Sequence, residues 1–157
     1  MAREPILTKK VLIPVKGGPI DNDVVKMAFR MTEKNHGDIY VVYVIELKRT
    51  LPMEAEVEPE IQKGEDVLEH IEYLAKELGR DVETQLLQAR DEGPAIVEEA
   101  IEREVDLILL GINYEKPYGE FNMGSTVPYV LKSAPCRVLI YREPIPAQET
   151  KTLERKL

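Results

Sequence analysis

The fold is decided by residues 11–45, which read VLIPVKGGPIDNDVVKMAFRMTEKNHGDIYVVYVI. This stretch opens with a short β-rich run at 11–15, which a turn containing two glycines and a proline closes. Apolar residues at helical spacing follow it: Val24, Met27, Ala28 and Met31. Asp21 or Asp23 is expected to cap this helix. Residues 39–45 are apolar throughout, as in a parallel strand covered on both faces, so the stretch predicts a strand–helix–strand unit.

The alternation continues outward from this unit. Further strands are predicted at 82–89, 105–110 and 136–141, with helices at about 59–78, from 91–94 onward and at 125–132. The third helix is expected to face the core with Ile96, Val97, Ala100 and Ile101. Strict alternation predicts an α/β fold: a single-domain, doubly wound, five-stranded parallel sheet with helices on both faces. Residues 9–142 form the predicted domain, between an N-terminal extension (1–8) and a polar C-terminal tail (143–157).

Composition excludes several classes of function. The chain of 157 residues carries a net charge of -8, which argues against a nucleic-acid partner because phosphate binding needs a basic face. Its single cysteine, Cys136, cannot form an intrachain disulfide and fits a reducing compartment. No apolar run is long enough to cross a bilayer, and no secretory signal is visible. We therefore expect a cytoplasmic protein that does not insert into membranes.

Two segments lie where ligands bind in open α/β sheets, beyond the carboxyl ends of the strands and near the switch point in strand order. The first is Lys16 with the two glycines after it, and the second is the long loop 111–126. That loop ends in Gly124, Ser125 and Thr126 at a helix start, where backbone amides and hydroxyls are able to bind an anion. A hydroxyl that caps the helix is the alternative interpretation of Ser125 or Thr126.

The loop reads GINYEKPYGEFNMGST and resembles the nucleotide loop of universal stress proteins, G-x2-G-x9-G-S/T. Gly124 follows Gly111 by 13 positions, which is the spacing of that motif. The opening strand, the segment DEGPAIVEEA at 91–100 and the closing helix and strand resemble the same family. The resemblance covers about residues 9–142.

This resemblance implies an adenine-nucleotide alpha-hydrolase-like fold and a stress-related regulatory or signalling domain. Such a domain binds ATP or AMP without fast catalysis, with at most slow ATP hydrolysis, and takes Mg²⁺ only with ATP. The implied nucleotide-binding residues are Pro14, Val15, Lys16, Val44, Gly111, Asn113, Gly124, Ser125 and Thr126.

The chain departs from the family pattern at two positions. Tyr114 stands where the motif has its second glycine, and Lys16 stands where the family has an aspartate at the end of the first strand. Both changes are expected to weaken ATP binding, the tyrosine by crowding the loop and the lysine by reversing a charge. Lys16 either attracts a phosphate into the cleft, or is solvated or paired with a nearby carboxylate.

An alternative function is a dimeric interaction module that has lost ATP and acts on a regulatory protein partner such as a transporter or kinase. The resemblance implies a homodimer through the last strand, Cys136 to Arg142, and an apolar edge strand favours such pairing. An enzyme is disfavoured because the sequence has neither a P-loop nor an intact G-x-G-x-x-G motif. His36 and His70 lack partners at metal-ligand spacing, so no metal site is expected.

Overall fold

The computed structural model of the chain describes residues 8–32, 37–116 and 119–147. Strands and helices alternate along it: β1 (Lys10–Pro14), α1 (Ile20–Met31), β2 (Asp38–Glu46), α2 (Glu58–Glu77), β3 (Glu83–Ala89), α3 (Glu92–Glu102), β4 (Leu107–Ile112), α4 (Thr126–Ser133) and β5 (Arg137–Arg142). The predicted order of elements is confirmed.

The five strands form one parallel sheet in the order β3-β2-β1-β4-β5. The chain winds outward from β1 to β3, returns to the centre at β4 and winds outward again, so the switch point lies between β1 and β4. The predicted fold class, a doubly wound α/β sheet, is confirmed. β1 pairs with β2 as far as Pro14 but with β4 only at Val11 and Leu12. The two central strands therefore separate toward their carboxyl ends, where a ligand is able to enter.

Helices cover both faces of the sheet. Val11 and Ile13 of β1 belong to a buried cluster with α1 and α2, while Leu12 belongs to a second cluster with α3 and α4. Successive strand residues point to opposite faces, and both faces of the central strands are buried. This is why these strands are apolar throughout rather than alternating.

Three local expectations are wrong. Neither Asp21 nor Asp23 caps α1, whose N-cap is Pro19 without a side-chain bond. Ile101 is 56% exposed, because it is rotated by one helical step from Ala100 and so points away from the sheet. Gly111 is part of β4, where it pairs with Tyr141, and not part of the loop that follows.

The predicted N-terminal extension and C-terminal tail lie mostly outside the described residues. The described part of 143–157 continues from β5 and forms a backbone bond from Glu143 N to Ile112 O at 3.0 Å. None of the helices in the described ranges is both long enough and apolar enough to span a membrane.

Candidate functional site

A cavity of about 270 Å³ opens where β1 and β4 separate. Its floor is formed by the ends of these strands, and one side is formed by the loop that enters α4. Six of the nine predicted site residues line it: Pro14, Lys16, Gly111, Gly124, Ser125 and Thr126. The topology therefore brings the two segments chosen from the sequence to one place.

The other three predicted residues do not line this cavity. Val15 is 2% exposed, and its amide donates to Val42 O at 2.9 Å, which extends the pairing of β1 with β2. Val44 packs with the apolar cluster under α3 and α4. Asn113 is exposed just after β4. For Val15 and Val44 the side chains serve the core, and only their backbone faces the neighbouring strands.

Lys16 pairs with Glu92 across the cavity. The distance from Lys16 Nζ to Glu92 Oε2 is 3.4 Å, and the Lys16 side chain is 66% exposed while that of Glu92 is 12% exposed. The same carboxylate oxygen accepts a hydrogen bond from Thr126 Oγ1 at 3.3 Å. Of the two interpretations of Lys16, the structure favours pairing with a carboxylate.

Glu46 orients the residue that Lys16 contacts. The backbone amide of Glu92 donates to Glu46 Oε1 at 2.9 Å, so the last residue of β2 caps the first turn of α3. A carboxylate at this position compensates free amides at a helix start. Glu46 and Glu92 both line the cavity, which therefore contains two carboxylates beside one ammonium group.

The turn after β1 is held by Asp21. The amide of Gly17 donates to Asp21 Oδ2 at 2.7 Å, and the amide of Lys16 donates to both carboxylate oxygens at 3.3 Å. Burial raises the pKa of Asp21 above its ordinary value, although the hydrogen bonds from these two backbone amides and the charges of His70 and Lys16 oppose that rise. Gly17 adopts a φ of 100°, which favours glycine. Asp21 thus closes the turn that carries Lys16 instead of capping α1.

The start of α4 lacks the hydroxyl cap that was the alternative interpretation of Ser125 and Thr126. Ser125 is the N-cap but its hydroxyl makes no capping bond, and the hydroxyl of Thr126 is directed to Glu92. The amide of Gly124 donates to Asn122 Oδ1 at 2.7 Å, so that amide already has an acceptor. Gly124 has a φ of 75°, a left-handed conformation that turns the loop into the helix. An anion at this end therefore meets the Ser125 hydroxyl and the first amides of α4, which have no intrahelical acceptor.

Tyr114 does not crowd the cavity. Its ring stacks on Phe121 with centroids 5.3 Å apart, and the Arg142 guanidinium lies 5.3 Å from its centroid. Its amide donates to Glu143 Oε1 at 2.7 Å. These contacts tie the loop to the end of β5, and Tyr114 is not among the residues that line the cavity. The Tyr114 side chain thus points toward β5 and away from the cavity, and the expected weakening of ATP binding stays a prediction.

Gly111 has a packing reason to be glycine. A Cβ built on it would lie 2.7 Å from Val24 Cγ2 and 3.4 Å from Ile20 Cγ1, both in α1. The first glycine of the motif thus allows α1 to approach β4, and it also lines the cavity.

Other chemistry-bearing residues lie away from this site. His70 is exposed and its Nε2 is 3.0 Å from Asn22 Oδ1, while His36 lies outside the described residues. Burial raises the pKa of the half-buried Cys136 thiol. Within the described ranges no group of three or more histidine, cysteine, aspartate or glutamate side chains is arranged to hold a metal ion.

Sequence reasoning missed Glu46, Glu92 and Met123, which also line the cavity. A usable signal was present for the first two. Glu46 ends the strand next to β1, and Glu92 begins a helix, so both belong to the same edge of a parallel sheet. Met123 lies in the loop 111–126 that the sequence indicated, but the sequence does not show which side chains of that loop face the site.

Comparison with known proteins agrees with this architecture. The model of the universal stress protein family matches residues 8–142. A universal stress protein of Methanocaldococcus jannaschii is 26% identical over 144 residues, covering 88% of this chain and 84% of that protein.

Two solved structures share the fold. The universal stress protein of Archaeoglobus fulgidus in complex with dAMP has a TM-score of 0.67 at 19% identity, covering 86% of this chain and 98% of that one. A family member from Arabidopsis thaliana with AMP bound has a TM-score of 0.61 at 17% identity, covering 90% and 95%.

Proposed function

This chain belongs to the universal stress protein family, and we propose that it is a stress-related regulatory domain that binds an adenine nucleotide between β1 and β4. The observation that carries the proposal is the cavity at the switch point of the sheet. It is lined by residues from β1, β4 and the start of α4. In open α/β sheets this is the position at which ligands bind.

The two structural relatives that hold dAMP and AMP support the adenine nucleoside monophosphate as the ligand class. The cavity volume of about 270 Å³ lies just below the range of roughly 300–1,000 Å³ for small-molecule sites, which favours a small nucleotide. The phosphate would meet the Ser125 hydroxyl and the first amides of α4, where the helix dipole favours an anion.

Fast catalysis is not part of the proposal. The described residues around the cavity are a lysine paired with a glutamate, a second glutamate (Glu46), two residues with hydroxyl groups, two glycines and apolar side chains. The set contains neither histidine nor cysteine, and the carboxylate that the Thr126 hydroxyl contacts, Glu92, is also paired with Lys16, so we propose no activated nucleophile. ATP hydrolysis, if measured, is expected to be slow, and Mg²⁺ would enter only together with ATP.

Calorimetric titration with AMP tests the proposal. Ser125→Ala removes a hydroxyl at the cavity end of α4, and Ser133→Ala makes the same change at the other end of the same helix. We expect Ser125→Ala to weaken AMP binding about tenfold, because a hydrogen bond to a charged group contributes roughly 1.5 kcal/mol. Ser133→Ala should leave the affinity unchanged. Absence of AMP and ATP binding to the unmodified protein would refute the proposal.

A second candidate function is a dimeric module that acts on a regulatory protein partner. The observation in its favour is the exposed apolar edge of β5, where Leu139 is 46% and Ile140 is 36% exposed. An apolar edge strand with unpaired backbone groups favours pairing with another chain. We propose a homodimer through residues 136–142. This assembly is compatible with nucleotide binding, because the edge of β5 faces away from the cavity between β1 and β4.

A further inference from the structure

We propose that Glu92 sets the phosphate-charge selectivity of the cavity. Its carboxylate occupies the anion position formed by Lys16 and Thr126, so the cavity favours ligands with one phosphate or none over polyphosphates. The inference rests on the proposed nucleotide function and names the residue that decides between nucleotides of different charge.

The geometry places the chain's own carboxylate where a ligand phosphate would find partners. Glu92 Oε2 is 3.4 Å from Lys16 Nζ and 3.3 Å from Thr126 Oγ1. An ammonium group and a hydroxyl are donors that a phosphate oxygen also uses. A ligand phosphate must therefore replace the Glu92 carboxylate on these donors or bind beside it.

Glu92 is held in this position. Its side chain is only 12% exposed, and its backbone amide is bound to Glu46 Oε1 at 2.9 Å. It is the first residue of α3, so its backbone is fixed by the helix. The carboxylate therefore has few alternative positions to which a ligand could displace it.

The charges around the cavity act in the same direction. Glu46 and Glu92 together outweigh the single charge of Lys16. Asp91 lines the adjoining cavity of about 240 Å³, but its charge is offset by Arg49, whose guanidinium lies 3.8 Å from the carboxylate. Each added phosphate brings more negative charge into a region with a net negative side-chain charge. Repulsion is smallest for adenosine, larger for AMP and largest for ATP.

Glu92→Gln tests the inference because it removes the charge and keeps the shape and one hydrogen-bond acceptor. Glu98→Gln is the matched control: it removes the same charge from an exposed position of the same helix. Adenosine, AMP, ATP and inorganic tripolyphosphate are titrated into each protein by calorimetry at low ionic strength, with and without added salt. Thermal unfolding of the three proteins shows whether the variants are folded.

For Glu92→Gln we expect affinity to rise about tenfold for ATP and tripolyphosphate and about threefold for AMP, with no change for adenosine. Added salt should reduce the gain. Glu98→Gln should change all four by less than twofold. A purely structural role of Glu92 would move adenosine and ATP together, which contradicts the inference.

The ligands also separate this inference from the proposed function. If AMP binds but Glu92→Gln leaves the ratio of ATP affinity to AMP affinity unchanged, the inference is wrong and the proposed function stands. If Glu92→Gln binds tripolyphosphate more tightly while adenosine and AMP bind to no variant, the charge role of Glu92 stands and the adenine function fails. If none of the four ligands binds to any variant, both are refuted.

Discussion

Gly111→Ala tests why the first residue of the loop motif is glycine. The new Cβ would lie 2.7 Å from Val24 Cγ2, closer than real Cβ atoms approach other heavy atoms. Val24 is 1% exposed, and a β-branched side chain in a helix has essentially one favoured χ1 rotamer. Because Val24 has no room to turn away, the substitution must push α1 from the sheet. The strain exists in the nucleotide-free protein.

The magnitude follows from two opposing effects. Inserting a methyl group into a well-packed core costs about 1–3 kcal/mol. Replacing glycine by alanine lowers the conformational entropy of the unfolded chain, which stabilises the folded state by about 0.4–1 kcal/mol. We expect the overpacking to dominate, so that the net effect is destabilising. Val24 and Ile20, which the new Cβ would meet, are buried core residues and not mobile side-chain ends at the surface. We expect a net loss of about 1–2 kcal/mol in the free energy of unfolding.

Urea unfolding of the nucleotide-free protein, followed by circular dichroism, measures this loss. With a denaturant slope of about 2 kcal/mol/M, the midpoint should fall by about 0.5–1 M. Gly18→Ala is the control, because a Cβ there meets no heavy atom within 4 Å, and its midpoint should stay the same or rise slightly. If Gly111→Ala unfolds like the unmodified protein but loses nucleotide binding, the ligand and not α1 requires the glycine.

Two further predictions concern assembly and pH. Leu139→Lys should convert the expected homodimer to a monomer, as measured by light scattering at micromolar concentration. Leu78→Lys is the control, because Leu78 is 47% exposed and Leu139 is 46% exposed, and this variant should stay dimeric. A monomeric unmodified protein would contradict the edge-strand assembly. Burial raises the pKa of Asp21 in the folded state, so its stabilising contribution is present below the ordinary value of 3.8 and is lost as the pH rises through the folded value. Relative to Asp21→Asn, the unmodified protein should therefore gain stability in urea titrations as the pH falls from about 7 to about 4, and a difference that is constant with pH would contradict the assignment.

The fold was predictable because the chain repeats one physical pattern. Apolar runs such as 39–45 can only be buried on both faces, and alternation with amphipathic helices leaves few topologies. Errors occurred where a residue had a competing partner. Aspartate commonly caps helices, but the Asp21 carboxylate instead accepts hydrogen bonds from two backbone amides of the preceding turn. Ile101 is apolar like a core residue. Ile96 and Ala100 define the face of α3 that packs on the sheet, however, and Ile101 lies outside that face and is exposed.

The site was predicted less completely, because a sequence motif names the loop and not the side chains that face it. Gly124, Ser125 and Thr126 were found through their spacing from Gly111, and all of them line the cavity. Tyr114 was interpreted as an obstacle because the motif has glycine there, but nothing in the motif indicates that its ring would stack on Phe121. The partner of Lys16 is 76 positions away in the sequence at Glu92, and only the closure of the sheet brings the two together.

The pairing of Lys16 with Glu92 changes the meaning of the charge reversal at the end of β1. A lysine in place of the family's aspartate would by itself reverse the charge at the end of β1. Glu92 and Glu46 supply two carboxylates next to it, so the balance of these three side chains is negative, as it would be with the aspartate alone. A carboxylate acceptor is therefore present at this edge of the sheet, at the start of α3 and not at the end of β1. Under the proposed function, the departure at Lys16 is therefore compatible with a ligand in the cavity, because the charge of the lysine is offset by its pairing with Glu92.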